Sequence, residues 1–297
     1  MSVYKNGNTI VLIKEDGTKI RYTPDKQCAE PEYPESIDMK ITNCCDVGCA
    51  QCHECSVPNG EHANLNHPLL KSLRPYTELA IGGGDPLSHP DLEKLLIQMK
   101  EQQVFSNVTV HWTSFVKNYN MLKKWETEKL VYGIGISVNE LVDQEVIDKI
   151  CEFKNAVVHT IVGVADWPVY EQMINRGMNI LLLGYKTFGR GESFITHNNH
   201  KIFQNTRMLQ REIQYFPNWF RAVCFDNLAI EQLEIKKRLE PDRFKQMYMG
   251  NDGTFTMYVD LVKNQYAASS TKERHDIFNE NIVNLFESVR KGVKKIA

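Results

Sequence analysis

Seven short runs rich in β-branched and other apolar residues recur along the middle of the chain, at 37–42, 78–82, 107–112, 131–138, 157–162, 178–184 and 221–225. The segments between them have helical spacing. Leu92, Leu95, Leu96 and Met99 fall at i, i+3, i+4 and i+7, which is one face of a helix. Ser88, followed by Pro90 and Asp91, predicts a capping box at the start of that helix. Strands alternating with helices at this spacing predict a parallel sheet covered by helices, hence an α/β fold. Six or so such units predict an open, partial (β/α)6 barrel. Sheets of this kind carry their chemistry at the carboxyl ends of the strands.

The flanks read differently. Thr9–Ile13 and Lys19–Tyr22 are β-rich and surround the turn signal Glu15-Asp16-Gly17, which predicts an N-terminal β-hairpin. Residues 24–34 read as a linker. Beyond 226 the pattern predicts a helix over 228–239 and a strand over 255–262, preceded by the turn Asn251-Asp252-Gly253. Phe278, Ile282, Leu285, Phe286, Val289 and Val293 then share one predicted helical face. Arg290, Lys291, Lys294 and Lys295 follow at its C-terminal end, where the helix dipole favours cations. The organisation expected is a hairpin and linker (1–35), a core barrel (36–226) and a C-terminal α+β cap (227–297).

Charge narrows the choice of partners. Among 297 residues, Lys+Arg number 35 and Asp+Glu 37, a net charge of -2. That balance gives no electrostatic support for binding long nucleic acid. The apolar runs are too short to span a bilayer, so no membrane partner is expected. The start, Met1-Ser2-Val3-Tyr4-Lys5-Asn6-Gly7-Asn8, has no apolar signal-peptide core. A cytoplasmic, soluble protein is the expectation.

Cysteine placement is the unusual feature. Eight cysteines are present, and five of them, Cys44, Cys45, Cys49, Cys52 and Cys55, crowd one loop-like segment. Cys28, Cys151 and Cys224 stand alone. In a reducing compartment a tight cluster points to metal rather than to disulfides. Spacing separates the possibilities. A structural zinc site uses two close pairs; Cys49 and Cys52 form one, and no distal pair follows. Bacterial ferredoxins use C-x2-C-x2-C-x3-C-P; Cys49, Cys52 and Cys55 match three positions, but Asn59 holds the fourth. Cys45-Asp46-Val47-Gly48-Cys49-Ala50-Gln51-Cys52 is C-x3-C-x2-C. Three thiolates on a [4Fe–4S] cluster leave one iron without a protein ligand, the open position that catalytic metal sites keep. The competing reading is a non-catalytic site closed by a fourth ligand, Cys44 or Cys55.

This spacing after the first strand, with Gly82-Gly83-Gly84-Asp85-Pro86-Leu87 after the second, resembles the radical S-adenosylmethionine (radical SAM) enzymes. The likeness covers roughly residues 36–225 and is nearest to an unassigned branch with phage-encoded members. Two departures stand out. Asp85 replaces the Glu of the family's GGE element, and Gln51 replaces the aromatic usual before the third cysteine. The resemblance implies that Cys45, Cys49 and Cys52 hold the cluster. Gly83, Gly84 and Asp85 would then meet the methionyl amine of S-adenosylmethionine. Ser137 and Asn139 would reach the ribose, the competing reading being strand-end capping, and Val162 and Leu183 the adenine, with core strand as the competing reading of the fifth run. Lys186 and Arg190 would meet the cofactor or substrate carboxylate, the competing reading being solvated loop cations. Reductive cleavage of S-adenosylmethionine would give a 5′-deoxyadenosyl radical that takes hydrogen from substrate. An external one-electron donor, flavodoxin- or ferredoxin-like, is implied as partner.

Substrate residues are less legible. Cys224 and Asp226, at the end of the seventh run, are the catalytic candidates, Cys224 as a hydrogen donor of the kind used by family members that epimerise. The competing reading of Cys224 is a small buried hydrophobe. His53, Glu54, His62, His111 and Trp112 are candidates for the pocket wall. The substrate expected is a peptide or protein side chain, the alternatives being a nucleoside or nucleotide or another small molecule.

Overall fold

The computed structural model describes residues 2–15, 17–24, 28–278 and 281–294. At the N-terminus three antiparallel strands, β1 (Ser2–Asn6), β2 (Thr9–Ile13) and β3 (Lys19–Tyr22), form a small sheet in sequential order. The predicted hairpin is its second half. β1 escaped the sequence reading because its five residues mix apolar and polar types too briefly to register. Asp16 of the predicted turn lies outside the described residues.

All seven core strands form. They are β4 (Ser36–Thr42), β5 (Glu78–Gly83), β6 (Phe105–His111), β7 (Gly133–Ser137), β8 (Ala156–Ile161), β9 (Asn179–Leu183) and β10 (Ala222–Phe225). Each pairs in parallel with the next. The helices α1 (Leu92–Glu101), α2 (Trp112–Lys117), α3 (Tyr119–Thr127), α4 (Gln144–Cys151), α5 (Trp167–Glu171), α6 (Arg190–Glu212) and α7 (Phe216–Trp219) lie between them. After β10 come α8 (Asn227–Gln232), α9 (Pro241–Met247), β11 (Thr256–Asp260), β12 (Gln265–Ala267), β13 (His275–Asp276) and α10 (Ile282–Lys294).

The large sheet runs β10-β9-β8-β7-β6-β5-β4-β11-β12-β13 and is not closed, giving a partial, TIM-like barrel. β11 adds an eighth parallel strand beside β4, with Tyr258 opposite Asp38 and Asp260 opposite Lys40. Thus part of the predicted C-terminal cap is continuous with the barrel sheet. Side chains alternate across each strand. Ile37, Met39, Ile41, Leu79, Ile81, Val108, Val110, Ile134, Ile136, Val158, Ile180 and Leu182 are buried in one core with the apolar face of α1. Each such side chain contributes roughly 1.5–3 kcal/mol. The opposite, concave face carries Asp38, Lys40, Thr42, His111, Ser137, His159, Leu183, Cys224, Tyr258 and Asp260. That polar face is the wall of the candidate site.

Local expectations fail where tertiary partners intervene. Ser88 does not cap α1; its hydroxyl donates to the Asp85 carbonyl at 2.7 Å, and the Asp91 side chain makes no cap hydrogen bond. The helix predicted over 228–239 breaks after α8, with Glu234 at φ 54°. Trp112 begins α2 instead of ending β6. Phe278 lies before α10 and is 92% exposed, whereas Ile282, Leu285, Phe286 and Val289 are buried as predicted. Arg290 is not a solvated helix end; it donates to the Pro31 carbonyl at 2.6 Å. Lys295 and the side chains of Val293 and Lys294 lie outside the described residues. Among the described residues no helix is long and apolar enough to cross a membrane.

Candidate active site

The cysteine loop leaves the carboxyl end of β4 and folds back on itself. Asn43 N–H donates to Glu61 O at 2.8 Å, Cys45 N–H to Val57 O at 2.9 Å and Val57 N–H to Asn43 O at 3.1 Å. Cys52 N–H donates to Cys49 O at 3.2 Å and Cys55 N–H to Cys52 O at 3.4 Å. These turns bring the thiols of Cys45, Cys49 and Cys52 within electrostatic reach of one another. Burial pushes the Cys45 thiol up, opposed by the Val47 N–H and reinforced by Asp85 and Cys52. Burial raises Cys49 as well, and Cys52 and Cys45 add to it. Such thiols give up their protons when a metal binds. Cys44 points elsewhere, its thiol donating to Pro58 O at 3.0 Å, and Cys55 is exposed. Among the described residues, no group of three or more His, Cys, Asp or Glu is drawn together for a single metal ion.

The glycine segment at the end of β5 is stitched to this loop. Gly84 N–H donates to Thr42 O at 2.7 Å and Asp85 N–H to Cys44 O at 2.8 Å. A Cβ on Gly84 would lie 2.2 Å from Cys44 O. Gly83 has φ +123°, and its Cβ would lie 2.4 Å from Thr42 O. Both positions therefore require glycine. Asp85 is anchored, one oxygen accepting from Leu87 N–H at 3.1 Å and the other from the Ser114 hydroxyl.

The remaining candidates spread along the strand ends. Ser137 sits in register between His111 and His159. The Asn139 side-chain oxygen accepts from Ile161 N–H at 2.7 Å, so the amide ties two strand ends together. Val162 is buried, and its N–H donates to Leu183 O at 2.9 Å. A cavity of 50 Å³ is lined by Gln51, His53, Ile161, Leu183, Tyr185 and Lys186. Gln51 thus lies where the strand ends of β8 and β9 meet the cysteine loop. Arg190 clamps that loop. Its Nε donates to Cys49 O and its Nη1 to Ser56 O, both at 3.0 Å, while its backbone N–H donates to Cys52 O at 3.1 Å. A larger surface cavity of 340 Å³, lined by Tyr4, Tyr33, Arg74 and Tyr76, lies at the opposite end of β5.

Cys224 is on the concave face of β10, opposite Leu181 and open to solvent, not in the apolar core; surrounding protein still raises its thiol. One oxygen of Asp226 accepts from Ala229 N–H at 2.7 Å and Gly184 N–H at 2.9 Å, capping α8 and fixing the exit of β9. Burial raises its carboxyl. Trp112 donates to Glu140 at 2.9 Å and His62 meets the Thr42 hydroxyl at 2.8 Å.

The sequence reading misses Asp38, His159 and the partners of Glu54, which it names only as a candidate for the pocket wall. Asp38 lies on the concave face with its carboxyl raised by burial, a rise Lys186 opposes. His159 stands over Gly135, where a Cβ would lie 2.3 Å from its ring, and burial lowers it to about 4. Glu54 pairs with Lys40 at 2.6 Å and meets Tyr258 at 3.2 Å. For Asp38 and His159 the available signal was a polar residue at every second position of otherwise apolar strands; Glu54 lies on the loop, and its pairing left no such signal.

No protein-family model matches the sequence, and no curated protein matches it. Solved structures share the fold. The crystal structure of Streptococcus suis SuiB bound to S-adenosylmethionine matches with a TM-score of 0.56 at 13% identity, over 89% of this chain and 68% of that one. SuiB bound to precursor peptide SuiA matches with a TM-score of 0.55 at 14% identity, over 89% and 67%.

Proposed function

We propose that the chain is a radical S-adenosylmethionine enzyme acting on a peptide or protein side chain. The observation that carries this reading is the stitching of two motifs on adjacent strand ends. Gly84 and Asp85 bond to the backbone of Thr42 and Cys44, immediately before the Cys45, Cys49 and Cys52 triplet. The residues suit a [4Fe–4S] cluster: three thiols lie within electrostatic reach of one another, Cys44 donates instead to Pro58 O, and Cys55 is exposed. A cluster with an open iron supplies one-electron cleavage of S-adenosylmethionine and so hydrogen abstraction.

The chain's own residues bind and shield. Cys45, Cys49 and Cys52 would ligate the cluster. The glycines Gly83 and Gly84 let β5 pack against the start of the cysteine loop, and Asp85, braced by Ser114, would accept from the methionyl amine. Ser137 and Asn139 lie toward the ribose in this reading, Val162 and Leu183 toward adenine. Arg190 holds the loop through the Cys49 and Ser56 carbonyls, and contact with a cofactor or substrate carboxylate stays part of this reading. Cys224, on the concave face, would offer hydrogen to a substrate radical in this reading. The peptide substrate is supported by the shared fold with SuiB, which was crystallised with S-adenosylmethionine and with a precursor peptide. An external flavodoxin- or ferredoxin-like protein would supply the electron.

The test is anaerobic. Protein reconstituted with iron and sulfide is reduced with dithionite and given S-adenosylmethionine, and 5′-deoxyadenosine is measured by chromatography. Formation above a Cys45→Ala control is expected. A fully loaded cluster that yields none, with a paramagnetic resonance spectrum indifferent to S-adenosylmethionine, would overturn the reading.

A further inference from the structure

Glu54 lies two residues beyond Cys52, in a stretch with no helix or strand, yet its side chain is only 8% exposed. Its Oε2 accepts from Lys40 Nζ at 2.6 Å, and its Oε1 accepts from Tyr258 Oη at 3.2 Å and faces Arg274 at 3.6 Å. Lys40 and Arg274 also converge on Asp260, at 3.6 and 2.8 Å. Asp260 is fully buried, and its Oδ1 accepts from Val262 and Lys263 N–H at 3.0 Å each. Two carboxylates and two cations thus alternate around a closed, charge-balanced ring. Three separate segments supply it: β4, the cysteine loop, and the strand pair β11–β12 with the turn that follows.

A second strut leaves the ring at Glu54, whose Oε1 lies 3.4 Å from His53 Nε2. His53 Nε2 lies 3.1 Å from Lys186 Nζ, which donates to Ser270 Oγ at 2.8 Å. Lys186 and His53 also line the small cavity at the ends of β8 and β9. The C-terminal segment therefore reaches both the cysteine loop and that cavity. Buried charges persist only when compensated on every side. Glu54 is the one member of the ring that the loop itself contributes.

We propose that Glu54 is a positioning residue through which residues 258–274 hold the cysteine loop in its cluster-binding shape. The proposal rests on the cluster reading of Cys45, Cys49 and Cys52. On this view β11 and the segment that follows it brace the cluster-binding loop from outside it. Removing its far end, Arg274, disturbs the loop as removing Glu54 does.

The test uses the full chain, first without metal. Hydrogen exchange is followed at the Cys52 and Cys55 amides in Glu54→Gln, Arg274→Gln and the mild variant Tyr258→Phe. Exchange about tenfold faster is expected in the first two, with a smaller change of the same sign in Tyr258→Phe and none in α1. The variants are then reconstituted anaerobically and reduced. Iron content and the paramagnetic resonance spectrum of the cluster, before S-adenosylmethionine is added, should change together in Glu54→Gln and Arg274→Gln. Arg274→Gln with wild-type loop exchange and a wild-type cluster spectrum would overturn the proposal, as would faster exchange spread evenly over the chain. A wild-type chain that holds no iron–sulfur cluster would overturn the underlying reading as well, and the metal-free exchange data would show that failure to be separate from the coupling.

Discussion

Gly84→Ala probes the junction between the two motifs. The added Cβ would lie 2.2 Å from Cys44 O, 2.8 Å from Cys44 C and 3.0 Å from Asn43 C. All three atoms are backbone, so no side chain can swing aside. Reaching ordinary contact requires the segments to part by about 1 Å. That movement stretches the two hydrogen bonds joining them, Gly84 N–H to Thr42 O at 2.7 Å and Asp85 N–H to Cys44 O at 2.8 Å. Leaving one such backbone group unpaired costs about 1–3 kcal/mol, so the pair predicts a loss of roughly 2–6 kcal/mol. Gly82→Ala is the control, because nothing lies within 4 Å of its Cβ. Urea unfolding of both metal-free variants measures the difference, and iron content and response to S-adenosylmethionine are read after reconstitution. Gly84→Ala should be the less stable by that margin and should lose the response to S-adenosylmethionine, with Gly82→Ala close to wild type. Equal stability and an intact response in both variants would refute the reasoning.

Other changes test other parts of the site. His159 is lowered by burial to about 4, against about 6.5 in an unfolded chain. The unfolded state therefore binds more protons between those values, so this residue subtracts stability as pH falls from about 6.5 to about 4. His159→Gln should flatten the stability profile over that window, and a profile parallel to wild type would refute the assignment. Cys45→Ala, Cys49→Ala and Cys52→Ala should each abolish the cluster absorption, whereas Cys55→Ala should retain it; loss in Cys55→Ala would favour a site closed by a fourth ligand. Arg190→Met frees the carbonyls of Cys49 and Ser56. It should lower iron loading with little change in the melting temperature of the metal-free chain, and full loading would show that the clamp is dispensable.

Much of this architecture was legible before any coordinates. The seven core strands and the buried face of α1 follow from local alternation and helical spacing, because burial on one side imprints a period on the sequence itself. The three candidate ligands follow from the spacing of cysteines on one loop. The capping box failed because Ser88 found the Asp85 carbonyl, a competitor that no spacing rule sees. Arg190 bonds two carbonyls of the cysteine loop, contacts that its place after β9 does not announce. The ring of Lys40, Glu54, Asp260 and Arg274 left no local trace, since Glu54 and Tyr258 are 204 positions apart. Periodicity records which side of an element is buried. Only strand order, with β11 laid beside β4, decides which buried charges meet, because an ion pair is set by distance in space and leaves no period along the chain.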